Sequence, residues 1–264
     1  MTPDAATLDP RTTLARPDLA EQALEGLVRA HAYRPVRPMQ AAVPLADIHA
    51  DADPASERID QLIFGEAFDV LDQQGDRLWG RARRDGLVGW IAASALQPGA
   101  RLPTHRVAAV AAGLPLNALV IEAADISPDD LAPIGAFESD PVAVAERLLG
   151  VPHSLGARSS AATDCSGLIQ QALYACGLAG PRHADQQAEL GRAVDRDQAR
   201  RGDLVVWLAE PGDHSWTGHS AFMLDADRVI HATGHHGAVV IEAFAEADAR
   251  YRADGFHAPV FRRL

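Results

Sequence analysis

Between Asp164 and Gly177 the chain carries its clearest helical signal, and almost everything after it reads as strand. The run Asp-Cys-Ser-Gly-Leu-Ile-Gln-Gln-Ala-Leu-Tyr-Ala-Cys-Gly spaces Leu168, Ile169, Ala172 and Leu173 as a buried stripe, and Gly177 supplies the stop. A shorter helix is expected over Val142–Gly150. The segments 203–208, 218–225, 228–232 and 238–243 then alternate or run apolar between turn residues, as strands do. Helices followed by an antiparallel sheet define an α+β domain over residues 140–264.

The start of that helix also carries chemistry. Thr163 or Asp164 is a natural N-cap, so Cys165 falls in the first turn, where free N–H groups and the helix dipole favour a thiolate. Cys176 lies about three turns on, roughly 16 Å away, with no such cap, and reads as packing. A cysteine nucleophile needs a base, and the base needs a partner to orient it. His219 and His231 sit in consecutive apolar strands, twelve residues apart around an Asp225-Ala-Asp227 turn. Cross-strand pairing brings them to one face, and packing the Cys165 helix on that face completes a Cys–His–His set. Each histidine alone reads as a core residue; together with a capped cysteine they read as a catalytic site.

The rest of the chain divides by pattern. Residues 1–38 are expected to form an amphipathic helix, with Leu19, Leu24, Leu27 and Val28 on one side, and then an Arg34-Pro-Val-Arg-Pro linker. Residues 39–99 give five short strands, at 41–43, 61–64, 68–72, 78–82 and 87–91, parted by turns such as Gln74-Gly75-Asp76 and Asp85-Gly86. That density points to a small all-β barrel. Residues 100–139 offer two strands, 104–111 and 116–123, and a turn over 124–133; they form either a shortened second barrel unit or a connector.

Net charge is −12, and all 24 basic residues are arginine, so the chain is a poor ligand for nucleic acid or an anionic membrane. No apolar run approaches membrane-spanning length. With two cysteines and no basic-then-apolar leader at Met1, the expected location is the cytoplasm. His214, His219, His231, His235 and His236 crowd 23 residues, but His235-His236 between Gly234 and Gly237 reads as a turn, so no metal is expected. Oligomeric state leaves no mark in the sequence.

Three short motifs in the β-rich part, Gly65-Glu-Ala-Phe-Asp-Val-Leu-Asp, Trp79-Gly-Arg-Ala and Asp85-Gly-Leu-Val-Gly-Trp-Ile, resemble in order and spacing those of bacterial SH3 domains. The last 125 residues resemble the NlpC/P60 family of papain-like cysteine peptidases. The matching residues are Val144-Ala-Glu-Arg-Leu-Leu-Gly-Val-Pro, Arg158-Ser-Ser, Asp164-Cys-Ser-Gly-Leu-Ile-Gln, Pro181-Arg, Gln187, Gly202-Asp-Leu-Val, Gly218-His and Ile230-His-Ala. The resemblance implies an α+β papain-like domain behind one or more SH3-like barrels. It implies Cys165 as nucleophile, His219 as base and His231 as the orienting residue, with no cofactor. It also implies cleavage of short murein peptides at the γ-D-Glu to diamino-acid bond, with Asp164 binding the free amine of L-Ala and the barrel walling off the cleft.

Departures from the family pattern mark the remaining candidates for substrate contact. His153-Ser-Leu-Gly-Ala157 replaces Tyr-x-Trp-Gly-Gly, and Pro181-Arg-His-Ala184 replaces Pro-Arg-Asp-Ser. Leu87 stands where the barrel often offers a tyrosine, and Gly218-His-Ser-Ala221 replaces Gly-His-Val-Gly. His153, Asp164, Ser166, Arg182, His183 and Ala184 are therefore the expected substrate-binding set. The alternatives are a silent peptide-binding module, or amidase or acyl-transfer chemistry on the same fold.

Overall fold

A computed structural model describes residues 8–121, 126–210, 212 and 216–264. The N-terminal segment is not the expected helix. It forms a parallel strand pair, β1 (Leu19–Glu21) and β2 (Ala32–Arg34), joined through a short 3-10 turn. Tertiary contacts override the helical pattern here. Leu14 and Leu19 are buried with Trp79 and Trp90, Glu21 takes both guanidinium nitrogens of Arg81, and Leu27 is left exposed.

The barrel is a seven-stranded sheet of β3 (Arg37–Ala41), β4 (Leu45–His49), β5 (Arg58–Ile63), β6 (Ala67–Gln74), β7 (Arg77–Ala82), β8 (Val88–Ala92) and β9 (Leu96–Pro98), in the order β5-β4-β8-β7-β6-β3-β9. Strand β4 was not expected, yet it alternates as a strand should: Ala46 and Ile48 point into the core with Leu62, Phe68 and Ile91, while Asp47 points out. Pro44 and three polar or small neighbours hide that short alternation.

Residues 100–139 fold into their own three-stranded sheet, β10 (His105–Val107), β11 (Leu119–Val120) and β12 (Leu131–Pro133), ordered β11-β10-β12. A strand thus stands where part of a turn was expected; residues 122–125 of that expected strand and turn lie outside the described residues. Val107, Ala112 and Ala118 pack on Ile63 of the barrel. Gly65, at φ +82°, lets the two units touch, because a Cβ there would meet Leu119 O at 1.9 Å.

The C-terminal unit is α+β. Helices α1 (Pro141–Glu146), α2 (Cys165–Ala175), α3 (Ala184–Gln187) and α4 (Phe244–Ala253) surround a six-stranded sheet. Its strands are β13 (Arg192–Val194), β14 (Leu204–Leu208), β15 (Gly218–Met223), β16 (Arg228–Thr233), β17 (Ala238–Ala243) and β18 (Val260–Arg263), in the order β13-β18-β14-β15-β16-β17. On one face Leu168, Ile169, Ala172 and Leu173 of α2 pack with Leu204, Phe222 and Ile230. On the other, Val205, Trp207, Met223 and Val229 meet Ala247 and Tyr251 of α4. Helix α4 was missed because only Ala247 and Tyr251 are buried in a run otherwise rich in Ala, Glu, Asp and Arg.

Candidate active site

Asp164 caps α2. Its Oδ1 accepts the Gly167 N–H at 2.8 Å and its Oδ2 the Gly156 N–H at 2.9 Å. Gly156 sits at φ +73°, and a Cβ would strike Arg58 O of the barrel at 2.1 Å, so glycine permits both the turn and the approach of the two units. Arg182 donates to Asp164 Oδ1 at 3.0 Å, forms an ion pair with Oδ2, and donates to Ser166 Oγ at 2.7 Å. Both Asp164 oxygens are therefore occupied by groups of the protein itself.

Cys165 opens α2 and lines a cleft of about 540 Å³, shared with His219, His153, Asp164, Ser166, Arg182, His183 and Ala184. Every candidate named from the sequence lines this cleft except His231, which lies behind His219. The two imidazoles meet at 2.7 Å, Nε2 of His219 against Nδ1 of His231, with rings nearly perpendicular. They share the sheet face that carries Trp207 and Tyr251, opposite the face on which α2 packs. The expected packing of the Cys165 helix onto the histidine face is thus corrected: α2 reaches the site with its N-terminal end only.

The structure adds residues that the sequence did not single out. Tyr251 stacks on His219 with centroids 4.2 Å apart, its hydroxyl 3.0 Å from His219 Nε2 and 3.2 Å from Thr233 Oγ1. Glu242 Oε1 lies 2.6 Å from His231 Nε2, and Arg250 holds the same carboxylate with both terminal nitrogens. A glutamate two positions along from the residue opposite His231 in the next strand was the available signal, since β17 pairs Val240 with His231.

The barrel contributes Glu57, Arg58 and Ile59 to the cleft wall. Arg58 donates to Leu155 O at 2.7 Å, holding the loop that lines the cleft with Cys165. Leu87, which stands where related barrels often offer a tyrosine, is buried and absent from the lining. His214 lies outside the described residues. Cys176 ends α2 against the core, away from the cleft.

Electrostatics change one expectation. Burial and the Asp164 carboxylate push the Cys165 thiol up to about 11, against the lowering effect of backbone hydrogen bonds with Ser220 and Ser166. Helix position alone therefore does not yield a resting thiolate. Burial, then His231, drives His219 well below the ordinary imidazole range. At rest Cys165 is therefore a neutral thiol and His219 a neutral imidazole. His183 is likewise held neutral, pushed down to about 4 by burial and the adjacent Arg182, and burial lowers His153.

Comparison with known proteins agrees with this architecture. Residues 48–96 match the model of the bacterial dipeptidyl-peptidase SH3 domain, and residues 150–256 that of the NlpC/P60 family. The chain is 32% identical over 92 residues to the murein DD-endopeptidase MepS/murein LD-carboxypeptidase of Escherichia coli K12, which covers 34% of this chain and 47% of that protein. It is 33% identical over 84 residues to the γ-D-glutamyl-L-lysine dipeptidyl-peptidase of Bacillus subtilis 168, covering 32% and 25%. The chain thus spans half or less of these relatives' lengths. An NlpC/P60 family protein of Bacillus cereus shares the fold over 86% of this chain and 99% of that one, with a TM-score of 0.72 at 16% identity.

Proposed function

Since this chain is a member of the NlpC/P60 family with a bacterial SH3 domain ahead of its α+β domain, we propose that it is a cysteine peptidase that hydrolyses murein peptides. The observation that carries this reading is that Cys165 and His219 line one cleft, with His219 Nε2 already committed at 2.7 Å to His231 behind it. That leaves Nδ1 of His219 for the thiol. In the proposed cycle Nδ1 takes the Sγ proton as sulfur attacks the scissile carbonyl. The N–H groups at the start of α2, which have no intrahelical partner, steady the oxyanion. His219 returns the proton to the leaving amine, then activates water to release the acyl group.

The γ-D-Glu to diamino-acid bond of a short peptide with a free L-Ala amine is the proposed target. Two features support a short substrate: Glu57, Arg58 and Ile59 close one side of the cleft, and Asp164 faces it with a carboxylate that attracts an ammonium group. Because both Asp164 oxygens already accept protein donors, this attraction acts through charge more than through a new hydrogen bond. Both cysteines are free, which fits the proposed cytoplasmic setting.

A silent peptide-binding module is the second reading, favoured by the raised thiol and by His153, His183 and Ala184 in place of the family's usual residues. Incubation with L-Ala-γ-D-Glu-diaminopimelate separates the two. The peptidase reading expects release of the diamino acid, abolished by Cys165→Ala and by His219→Ala. Binding of the peptide without any release, in a protein whose Cys165 iodoacetamide alkylates no faster than Cys176, sinks it.

A further inference from the structure

Behind the two histidines, Glu242 and Arg250 form a pair that no catalytic role has yet used. The Glu242 side chain is largely buried and Arg250 donates to its Oε2 at 3.0 Å, while His236 Nε2 lies 3.5 Å from Oε2. We propose that Glu242 is a positioning residue that fixes the tautomers of both histidines, and thereby makes His219 Nδ1 the basic atom of the site. This rests on the Cys165–His219 reading above.

Donor and acceptor roles place each proton in turn. An ionised carboxylate only accepts, so the nitrogen 2.6 Å from it, His231 Nε2, must carry the proton. A neutral His231 then presents a lone pair at Nδ1. The partner of that lone pair, His219 Nε2 at 2.7 Å, must in turn be the protonated nitrogen of its ring. Tyr251 agrees with this assignment, since its hydroxyl donates to Thr233 Oγ1 and offers its oxygen to the same His219 N–H. His219 Nδ1 is thereby left unprotonated, as a base for the thiol. When it takes the proton, the imidazolium charge is shared toward Glu242 through His231. Without the carboxylate, His231 could equally hold its proton on Nδ1, which would force His219 into the tautomer with nothing to accept from sulfur.

The carboxylate stays ionised in this setting. Burial alone would raise it, but His231 and Arg250 overcome burial and hold it well below the usual range. His219 itself is faced by His231, His153, Tyr251, Arg250 and Glu242, of which only the last favours its protonation.

The test uses the full chain with imidazole nitrogens labelled with nitrogen-15, and two variants. Glu242→Gln keeps shape and one acceptor; Glu242→Ala removes both. In the unaltered protein at neutral pH, NMR is expected to show His231 protonated at Nε2 and His219 protonated at Nε2. Both variants are expected to mix these tautomers and to lower kcat on the murein peptide by about 10- to 100-fold with KM within about twofold, a smaller loss than when a triad's directly bonded carboxylate is removed. Alkylation of Cys165 by iodoacetamide is expected to slow in parallel and to lose its His219-dependent pH limb. A His231 protonated at Nδ1 in the unaltered protein overturns the proposal whatever the activity. If His219→Ala slows alkylation but neither Glu242 variant alters the NMR pattern or kcat, the proposal fails alone. If His219→Ala leaves alkylation unchanged, the peptidase reading and this proposal fall together.

Discussion

Replacing Arg158 with methionine tests the ionic core between the barrel and the α+β unit. The Arg158 guanidinium is fully buried, with Nε 2.9 Å from Asp60 and its two terminal nitrogens donating to Glu66 at 3.1 and 2.6 Å. Asp60 and Glu66 both belong to the barrel, so this one side chain crosses the boundary. Burial would raise the Glu66 carboxyl, but Arg158 first and Arg84 second bring it from 4.5 down to about 2. That difference corresponds to about 3 kcal/mol. Breaking a buried pair by removing one partner costs about 3–5 kcal/mol in general, which sets the loss expected for Arg158→Met. The lower end fits, because Glu66 keeps Arg84 at 2.8 Å and Asp60 keeps Arg182 at 2.9 Å. Against a typical stability of about 5–15 kcal/mol this is a large loss. Urea denaturation near pH 7 and again near pH 5 reads it. In the parent, the depressed Glu66 contributes stability that is full above its unfolded value and is lost as pH falls toward 2. In the variant Glu66 keeps only Arg84 against its burial, and Asp60, already held well above its ordinary value in the parent, keeps only Arg182. The folded variant therefore takes up more protons than the parent and recovers more stability as pH falls. The gap between the two proteins is therefore expected to shrink by at least about 1 kcal/mol between pH 7 and 5. A loss below about 1 kcal/mol at pH 7, or a gap of constant size across the range, refutes the reasoning.

Asp60→Asn should be far milder. Burial raises the Asp60 carboxyl well above its ordinary value and its Oδ2 lacks a hydrogen-bond partner among the described residues, so a neutral amide is expected to cost no more than about 1 kcal/mol near pH 7 in the same urea assay. A cost equal to that of Arg158→Met contradicts this. Ala184→Ser restores a hydroxyl to the cleft wall where the family usually carries serine. One good hydrogen bond to a charged substrate group is worth roughly a factor of ten in kcat/KM on a γ-D-Glu peptide, and an unchanged or lower value would show that the D-Glu group does not sit against α3.

The parts of the site that could be read in the sequence are those whose chemistry is local. Asp164 and Cys165 are neighbours at a helix start, and that motif announces both the cap and a cysteine at the cleft. His219 and His231 lie in strands whose apolar runs are visible, so their meeting followed from pairing. Glu242 and Arg250 were not legible, because an exposed-looking glutamate and a weakly amphipathic helix acquire meaning only once β17 and α4 are placed. The N-terminal helix failed for the complementary reason: Leu14 and Leu19 are apolar because they fill the Trp79–Trp90 pocket, and periodicity cannot tell that from a helical stripe. The thiol expectation failed on magnitude, since a helix start lowers a cysteine less than burial beside a carboxylate raises it.

The barrel's role then follows from how charge is shared across the boundary. Arg182 joins two carboxylates from different units, with Nε 2.9 Å from Asp60 of the barrel and its terminal nitrogens on Asp164 at the start of α2. Arg158 ties the same Asp60 to Glu66. The cap of α2 is therefore one end of a chain, Asp164–Arg182–Asp60–Arg158–Glu66, whose middle and far end belong to the barrel. Opposite charges alternating along such a chain fix one another's positions as long as each keeps a neighbour of the other sign. An α+β unit separated from its barrel would leave Arg182 with Asp164 alone and Arg158 with no carboxylate of Asp60 or Glu66. The barrel thus does more than narrow the cleft with Glu57, Arg58 and Ile59: it completes the electrostatic frame in which Asp164 holds α2 and keeps Cys165 at the cleft.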